Sequence, residues 1–310
     1  MMELSNIKLD WDAILGRQIS HLESIYPDMQ IRDQFRAIIN LLNSNRIKSR
    51  VILSGINVAA YGFFMDSSEM RDRSFATVGF TDPAFANEQR LRNIVEWIVG
   101  SVSSSGRMTM MNEVFQDNGI SGPVLASMGF RKITRVRMEY DLADNKPGEP
   151  SLPREISVTG LEGLDIRAYS SLEYECYRGT QDEILLASSE EDRLAVTRNI
   201  FSGSYGNVLQ NASYLAFHKA SLIGAVVCTD GRVQGRKDML PTILNVFVKP
   251  EYRGNGLGTA LMQMALSSLR GMGFFKAYLW VTEGNRARDL YSSLGFTESR
   301  YPREVIYYRK

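Results

Sequence analysis

The apolar positions of this chain change period several times, and each change marks an element. Over residues 10–25, Trp11, Ile14, Leu15, Ile19, Leu22 and Ile25 recur at spacings of three and four, which predicts a helix with one buried face. His21 flanks that face as a solvated or capping residue, and Pro27 ends the helix. Phe35, Ile38, Ile39 and Leu42 predict a second helix over 31–43. The pattern then turns to strands: 50–54, 56–65 after a hairpin at Gly55, and 75–81. A helix over 87–102, a strand over 108–115, a short helix over 123–128 ending at Gly129-Phe130, and a closing strand over 131–142 complete this half.

Much the same order returns downstream. A strand is predicted at 165–169, then helices at 172–186 and 190–201, the latter with a capped start at Ser189-Glu190-Glu191-Asp192. A hairpin follows around Lys219-Ala220, with His218 at its solvated end, and residues 304–309 close the second sheet. Pro83 and Pro250 stand 167 residues apart, as do Asn118 and Asn285, and Gly129-Phe130 precedes Gly295-Phe296 by 166. The chain therefore reads as two copies of one α/β unit, residues 1–143 and 161–310. Pro147, Pro150 and Pro153 make 144–160 a linker.

Composition narrows the partners. The formal net charge is +1 over 310 residues, with no polybasic run, so charge points to neither nucleic acid nor an anionic membrane. No apolar stretch approaches the roughly 18 residues of a membrane span, and the start lacks a signal-peptide pattern. Cys176 and Cys228 form no disulfide framework or metal motif. They read as buried, reduced side chains of a cytoplasmic protein. Two distant histidines, His21 and His218, argue against a metal site.

One stretch carries chemistry. Ile243–Val248 reads as a strand stopped by Pro250. Arg253-Gly254-Asn255-Gly256-Leu257-Gly258 follows, and then Leu257, Leu261, Met264, Ala265 and Leu269 form a helical face. The first N–H groups of a helix have no intrahelical partner and sit at the positive end of its dipole. Glycines let a diphosphate approach that backbone. Downstream, a strand at 278–281 leads to Asn285, Ala287, Leu290-Tyr291 and Leu294-Gly295-Phe296.

These two motifs, in this order and separation, resemble the GNAT superfamily of acetyl-CoA-dependent N-acyltransferases. The resemblance implies two tandem GNAT-like domains, each a mixed, mostly antiparallel central sheet flanked by helices. The layout is similar to that of the two-domain members, the mycothiol synthases among them. It further implies that Arg253, Gly254, Asn255, Gly256, Leu257, Gly258 and Thr259 cradle the diphosphate of acetyl-CoA. Phe247 and Val248 would pair with its pantetheine arm, Asn285 would hold that arm, and Tyr291 would protonate the leaving thiolate. In the first copy the loop becomes Ala86-Asn87-Glu88-Gln89-Arg90-Leu91, without glycine, and Leu125 replaces Tyr291. That copy reads as degenerate.

The expected reaction moves an acetyl group to a primary amine of a small molecule or peptide in a ternary complex. The alternative is a non-catalytic acyl-CoA binding or sensing protein. A nucleotide-binding oxidoreductase fits poorly, because the loop's register differs from the dinucleotide fingerprint. Where many GNAT members carry a basic glutamate, this chain has Trp280, whereas the first copy has Glu113. Glu173, Glu175, Asp230 and Glu283 all stay open as alternatives. Without an evident base, an α-amine of reference pKa near 7.7–8.0 is an easier acceptor than a lysine-like amine near 10.4.

Overall fold

The computed structural model describes residues 9–26, 31–186, 189–231 and 240–310; Pro27 lies outside them. In chain order the elements are α1 (Trp11–Ile25), α2 (Ile31–Asn43), β1 (Lys48–Ser54), β2 (Asn57–Asp66), β3 (Arg73–Phe80), α3 (Glu88–Ser103), β4 (Met108–Asn112), α4 (Ser121–Ser127), β5 (Arg131–Asp141) and β6 (Ile156–Thr159). They continue with α5 (Ile166–Tyr177), α6 (Glu183–Leu186), α7 (Glu190–Phe201), β7 (Tyr214–His218), β8 (Ser221–Thr229), β9 (Thr242–Val248), α8 (Leu257–Gly271), β10 (Lys276–Thr282), α9 (Ala287–Leu294), β11 (Thr297–Glu298) and β12 (Glu304–Arg309).

The chain forms two compact units: residues 1–134 with 304–310, and residues 135–303. The first unit orders its strands β1-β2-β3-β4-β12, antiparallel except for the parallel pair β3–β4. On one face α3 packs Leu91, Ile94, Val95, Ile98 and Val102 against Ala60, Val78 and Phe80. A separate cluster joins Trp11, Leu15 and Ile19 of α1 and Ile39 and Leu42 of α2 to Tyr61 and Phe63 of β2. Successive strand residues point to opposite faces, so one strand serves both clusters.

The second unit orders its strands β5-β10-β9-β8-β7-β6, with β11 also on β5. Helix α8 buries Leu257, Leu261, Met262, Ala265, Leu266 and Leu269 against Ile223, Val226, Ile243 and Leu279. Burying each such side chain is worth about 1.5–3 kcal/mol.

The expected boundary at residue 143 and the expected closing strands are not where the units divide. β5, expected to close the first sheet, pairs antiparallel with β10 from Arg135↔Thr282 to Asp141↔Lys276. Its Met138 and Tyr140 are in the second unit's core. Conversely, β12, expected to close the second sheet, pairs with β4 from Thr109↔Arg309 to Asn112↔Ile306, and Tyr307 joins the first unit's core. Each unit is thus completed by the strand expected to close the other. Residues 144–160 are not wholly linker either, since β6 pairs with β7 from Ile156↔His218 to Thr159↔Leu215. The strand expected at 165–169 is instead the start of α5. Asp165 caps it, accepting from the N–H groups of Arg167 and Ala168, and Tyr169, Leu172, Glu173 and Cys176 form its buried face.

The exchange makes a prediction. Removing residues 304–310 strips β4 of its antiparallel partner and withdraws buried Ile306 and Tyr307. The first unit is expected to lose about 3 kcal/mol or more, read as a lower denaturant midpoint for its transition.

Candidate active site

The site is built where β9 and β10 separate. Among the described residues, Thr242↔Tyr278 is the one registered pair between these parallel strands. Beyond it neither strand completes the other's ladder. The segment around α5 and α6 occupies both inner edges. The Tyr177 hydroxyl donates to the Val246 carbonyl at 3.5 Å. Asp182 accepts from the Thr282 hydroxyl, and from Asn285 Nδ2 at 2.5 Å.

Antiparallel ladders alternate, so the β8–β9 register decides what β9 offers this opening. The Lys249 N–H donates to the Ile223 carbonyl on the β8 side, at 2.7 Å, and Val248 faces Gly224. The N–H and C=O of Val248 therefore point away from β8, toward the opening. The Val248 carbonyl accepts from Arg253 Nε at 2.9 Å.

The first unit closes the corresponding gap. β3 and β4 pair from Arg73↔Met108 to Ala76↔Met111. Further along, Phe80 N–H donates to the Phe115 carbonyl and Phe115 N–H to the Val78 carbonyl. Phe115 and Thr282 stand 167 residues apart, so the same repeat position zips one pair of strands and leaves the other open. The Tyr61 hydroxyl, bonded to Gln18 at 2.9 Å, stands where a side chain at Gly79 would go. Asn118 bonds the Pro83 carbonyl at 2.8 Å.

Next to the open edge, Gly254 and Gly256 adopt φ of +78° and +81°, and a Cβ on either would meet nothing within 4 Å. Gly256 caps α8 without a side-chain bond, so the first-turn N–H groups of Leu257, Gly258 and Thr259 are left to an outside acceptor. Asn255 and Leu257 also border a cavity of about 400 Å³, together with Arg154, His218 and Tyr252. The loop and its free donors fit a diphosphate.

Two expected contacts look different in place. The Arg253 guanidinium also bonds the Cys176 carbonyl at 2.7 Å, so it buckles the end of β9 to α5. Asn285 uses Oδ1 to accept from the Ala287 N–H at 2.9 Å and Nδ2 to reach Asp182; its side chain starts α9. His218, expected in solvent, has Nδ1 2.8 Å from the Tyr252 hydroxyl and Nε2 3.2 Å from Glu155. Phe247 is buried, its ring 5.0 Å from Tyr169.

Tyr291 is buried on α9, its ring 6.0 Å from that of Phe296. Burial, with a smaller contribution from Asp182, pushes its phenol well above the usual value, so it stays protonated throughout the neutral range. Burial does the same to Tyr177, with Glu173, Tyr291 and Asp182 adding to it. The Cys176 thiol is pushed up to about 12, first by burial, and so stays unreactive.

The open choice among carboxylates narrows. Glu283 pairs with Arg303, Glu175 lies 4.0 Å from Lys249, and Asp230 is bonded to the main chain and side chain of Asn207. Glu173 alone of the four is fully buried in the face of α5 that meets β9. Sequence reasoning missed Asp182 and Tyr177. The spacing of Tyr169, Glu173 and Tyr177 reveals a shared face once 166–177 is a helix; nothing local marks Asp182.

Residues 174–296 match the acetyltransferase (GNAT) family. The chain is 29% identical over 131 residues to an N-alpha-acetyltransferase MAK3 of Arabidopsis thaliana, covering 42% of this chain and 68% of that protein. It is 40% identical over 79 residues to a mycothiol acetyltransferase of Thermobispora bispora, covering 25% of this chain but only 26% of that one. Among solved structures, a GCN5-related N-acetyltransferase from Sphaerobacter thermophilus superposes with a TM-score of 0.63 at 17% identity, over 96% of this chain and 92% of that one. The fold is thus of GNAT type. Among the described residues no helix is long and apolar enough to cross a membrane.

Proposed function

We propose that the chain transfers an acetyl group from acetyl-CoA to a primary amine of a small molecule or peptide, a reading supported by the match of residues 174–296 to the acetyltransferase (GNAT) family. The acceptor attacks directly in a ternary complex. One observation carries this reading: the open edge of β9 ends at a glycine loop with unclaimed N–H groups, whereas the matching edge of the first unit is sealed by Phe115.

The residues divide the work. Gly254 to Thr259 receive the diphosphate, with charge-assisted bonds of about 1.5–3 kcal/mol each. Phe247 and Val248 line the pantetheine path, and the Val248 N–H stabilises the developing oxyanion. Tyr291 gives the thiolate its proton, a thiol having a reference pKa near 8.5. Arg253 and Asn285 act mainly on the protein itself, holding the cradle and the start of α9. The acetyl donor supplies the activated thioester; no further group is needed for the transfer.

Calorimetry with acetyl-CoA tests the division between the units. One site per chain is expected. Two sites would mean that the sealed first unit still binds the donor, and no binding would sink the acetyl-donor assignment.

A further inference from the structure

Arg137 is only 5% exposed. Its Cζ stands 3.9 Å from the centre of the Tyr278 ring and 4.2 Å from that of Tyr301. Among the described residues its nitrogens make no hydrogen bond and no ion pair. Stacking uses only the faces of a guanidinium, whereas its five N–H donors point outward from the edge. None of the three nitrogens is closed off from the surface. A purely structural arginine in such a place would spend that edge on the protein, because buried charges are otherwise paired.

The acids around it are committed elsewhere. Glu139, on β5 itself, pairs with Lys276 at 3.1 Å. Glu298 pairs with Arg288 and Arg303, and Glu283 with Arg303. Asp182 holds Thr282 and Asn285. Two more cations stand close by, Arg135 at 5.7 Å from the Trp280 ring and Arg300 at 6.0 Å from the Tyr301 ring. The patch is positive, framed by aromatic rings, and holds one unspent planar fork. The ligand that matches such a fork is a carboxylate.

The two strands place this fork at the site. β10 turns Ala277, Leu279 and Val281 into the core with α8, and β5 does the same with Val136, Met138 and Tyr140. Tyr278, Trp280 and Thr282 therefore share the opposite face with Arg135 and Arg137, and Arg137 stands directly across from Trp280. On this face Asp182 reaches Thr282. Tyr278, whose ring the guanidinium covers, is the residue at which β9 and β10 pair before they separate. The fork thus lies at the closed end of the opening, and the glycine loop lies at the other end, beyond Val248. From Thr242 to Val248, β9 runs about 20 Å at roughly 3.3 Å per residue. A short peptide suits that span better than a single amino acid does.

Resting on the acetyltransferase reading, we propose that Arg137 recognises a free carboxylate on the acceptor. The substrate is then a short peptide that presents its α-amine to the thioester and its C-terminal carboxylate to the fork. Two parallel N–H···O bonds hold the carboxylate, and the rings of Tyr278 and Tyr301 fix the plane of the guanidinium. Arg137 sets specificity and takes no part in proton transfer.

The test measures acetyl transfer to alanine peptides of increasing length, each made as the free acid and as the C-terminal amide. Calorimetry follows the same peptides on the CoA-loaded chain. Free acids long enough to span the opening are expected to exceed their amides in kcat/KM by about tenfold or more, with the difference in KM. Arg137→Met should bring that ratio down to about one. Arg137→Lys keeps the charge without the fork and should leave the ratio in between. Acetyl-CoA binding by each variant shows that its fold is kept; should Arg137→Met not fold, Arg137→Lys and the ratio in the unsubstituted chain decide. A ratio near one in the unsubstituted chain, or one that survives in the folded variants, overturns carboxylate recognition and leaves the acetyltransferase reading intact. Arg137-dependent preference for binding the free acids, with no peptide acetylated, overturns the acetyltransferase reading and leaves the carboxylate site standing.

Discussion

Replacing Gly256 by glutamate is expected to weaken acetyl-CoA binding by at least about a hundredfold, an estimate that follows from losing two charge-assisted bonds at about 1.5–3 kcal/mol each. Two effects act together. Gly256 has φ of +81°, where an L side chain costs about 1–2 kcal/mol. The new carboxylate would also stand beside the first-turn N–H groups of α8, taking the donors proposed for the diphosphate. Nothing lies within 4 Å of a Cβ placed there, so the substitution meets no steric clash and the fold should persist. Calorimetry on a folded variant is the readout. Retained affinity would mean that the donor's diphosphate sits elsewhere, and the functional reading would have to move with it.

Tyr291→Phe should lower kcat by about 10²–10⁴-fold, the usual size of a general-acid contribution. Donor binding should hardly change, because the ring that packs on Phe296 stays in place. An acid works when protonated. The upward shift of the Tyr291 phenol by burial therefore keeps it competent beyond its reference value near 10. The unsubstituted chain should then show no fall in kcat on the alkaline side below about pH 10. Turnover within threefold of the unsubstituted chain would remove Tyr291 from the mechanism. A chain that only binds acyl-CoA would show no amine-dependent release of CoA in either form.

Both predictions rest on features of different legibility. The strand–loop–helix around Gly256 is local, and its periodicity alone reveals it: apolar β9, Pro250, three glycines, then the Leu257–Leu269 face. Tyr291 is marked by its place in the second motif. The repeat is legible too, because 167-residue spacing preserves Pro83 and Pro250, Asn118 and Asn285. The absence of the glycines from the first half, at Ala86 to Leu91, is equally plain in the sequence.

Other features depend on which edges meet in space. β5 and β12 each carry an alternating strand pattern that suits either sheet equally well, and only tertiary pairing settles that they cross over. The sealing of the first gap depends on the main chain of Phe115, which any residue supplies, so no side-chain signal announces it. Asn285 shows the same limit, since its amide can face outward or cap its own helix, and packing against Asp182 decides. The strand expected at 165–169 became a helix because Asp165 found two N–H groups to cap. Local order and the glycine loop were thus determined by neighbours in the chain. Which strand completes which sheet, which cleft stays open and which carboxylate is buried beside it were decided by long-range burial and backbone pairing, whose partners lie more than a hundred residues apart in several cases.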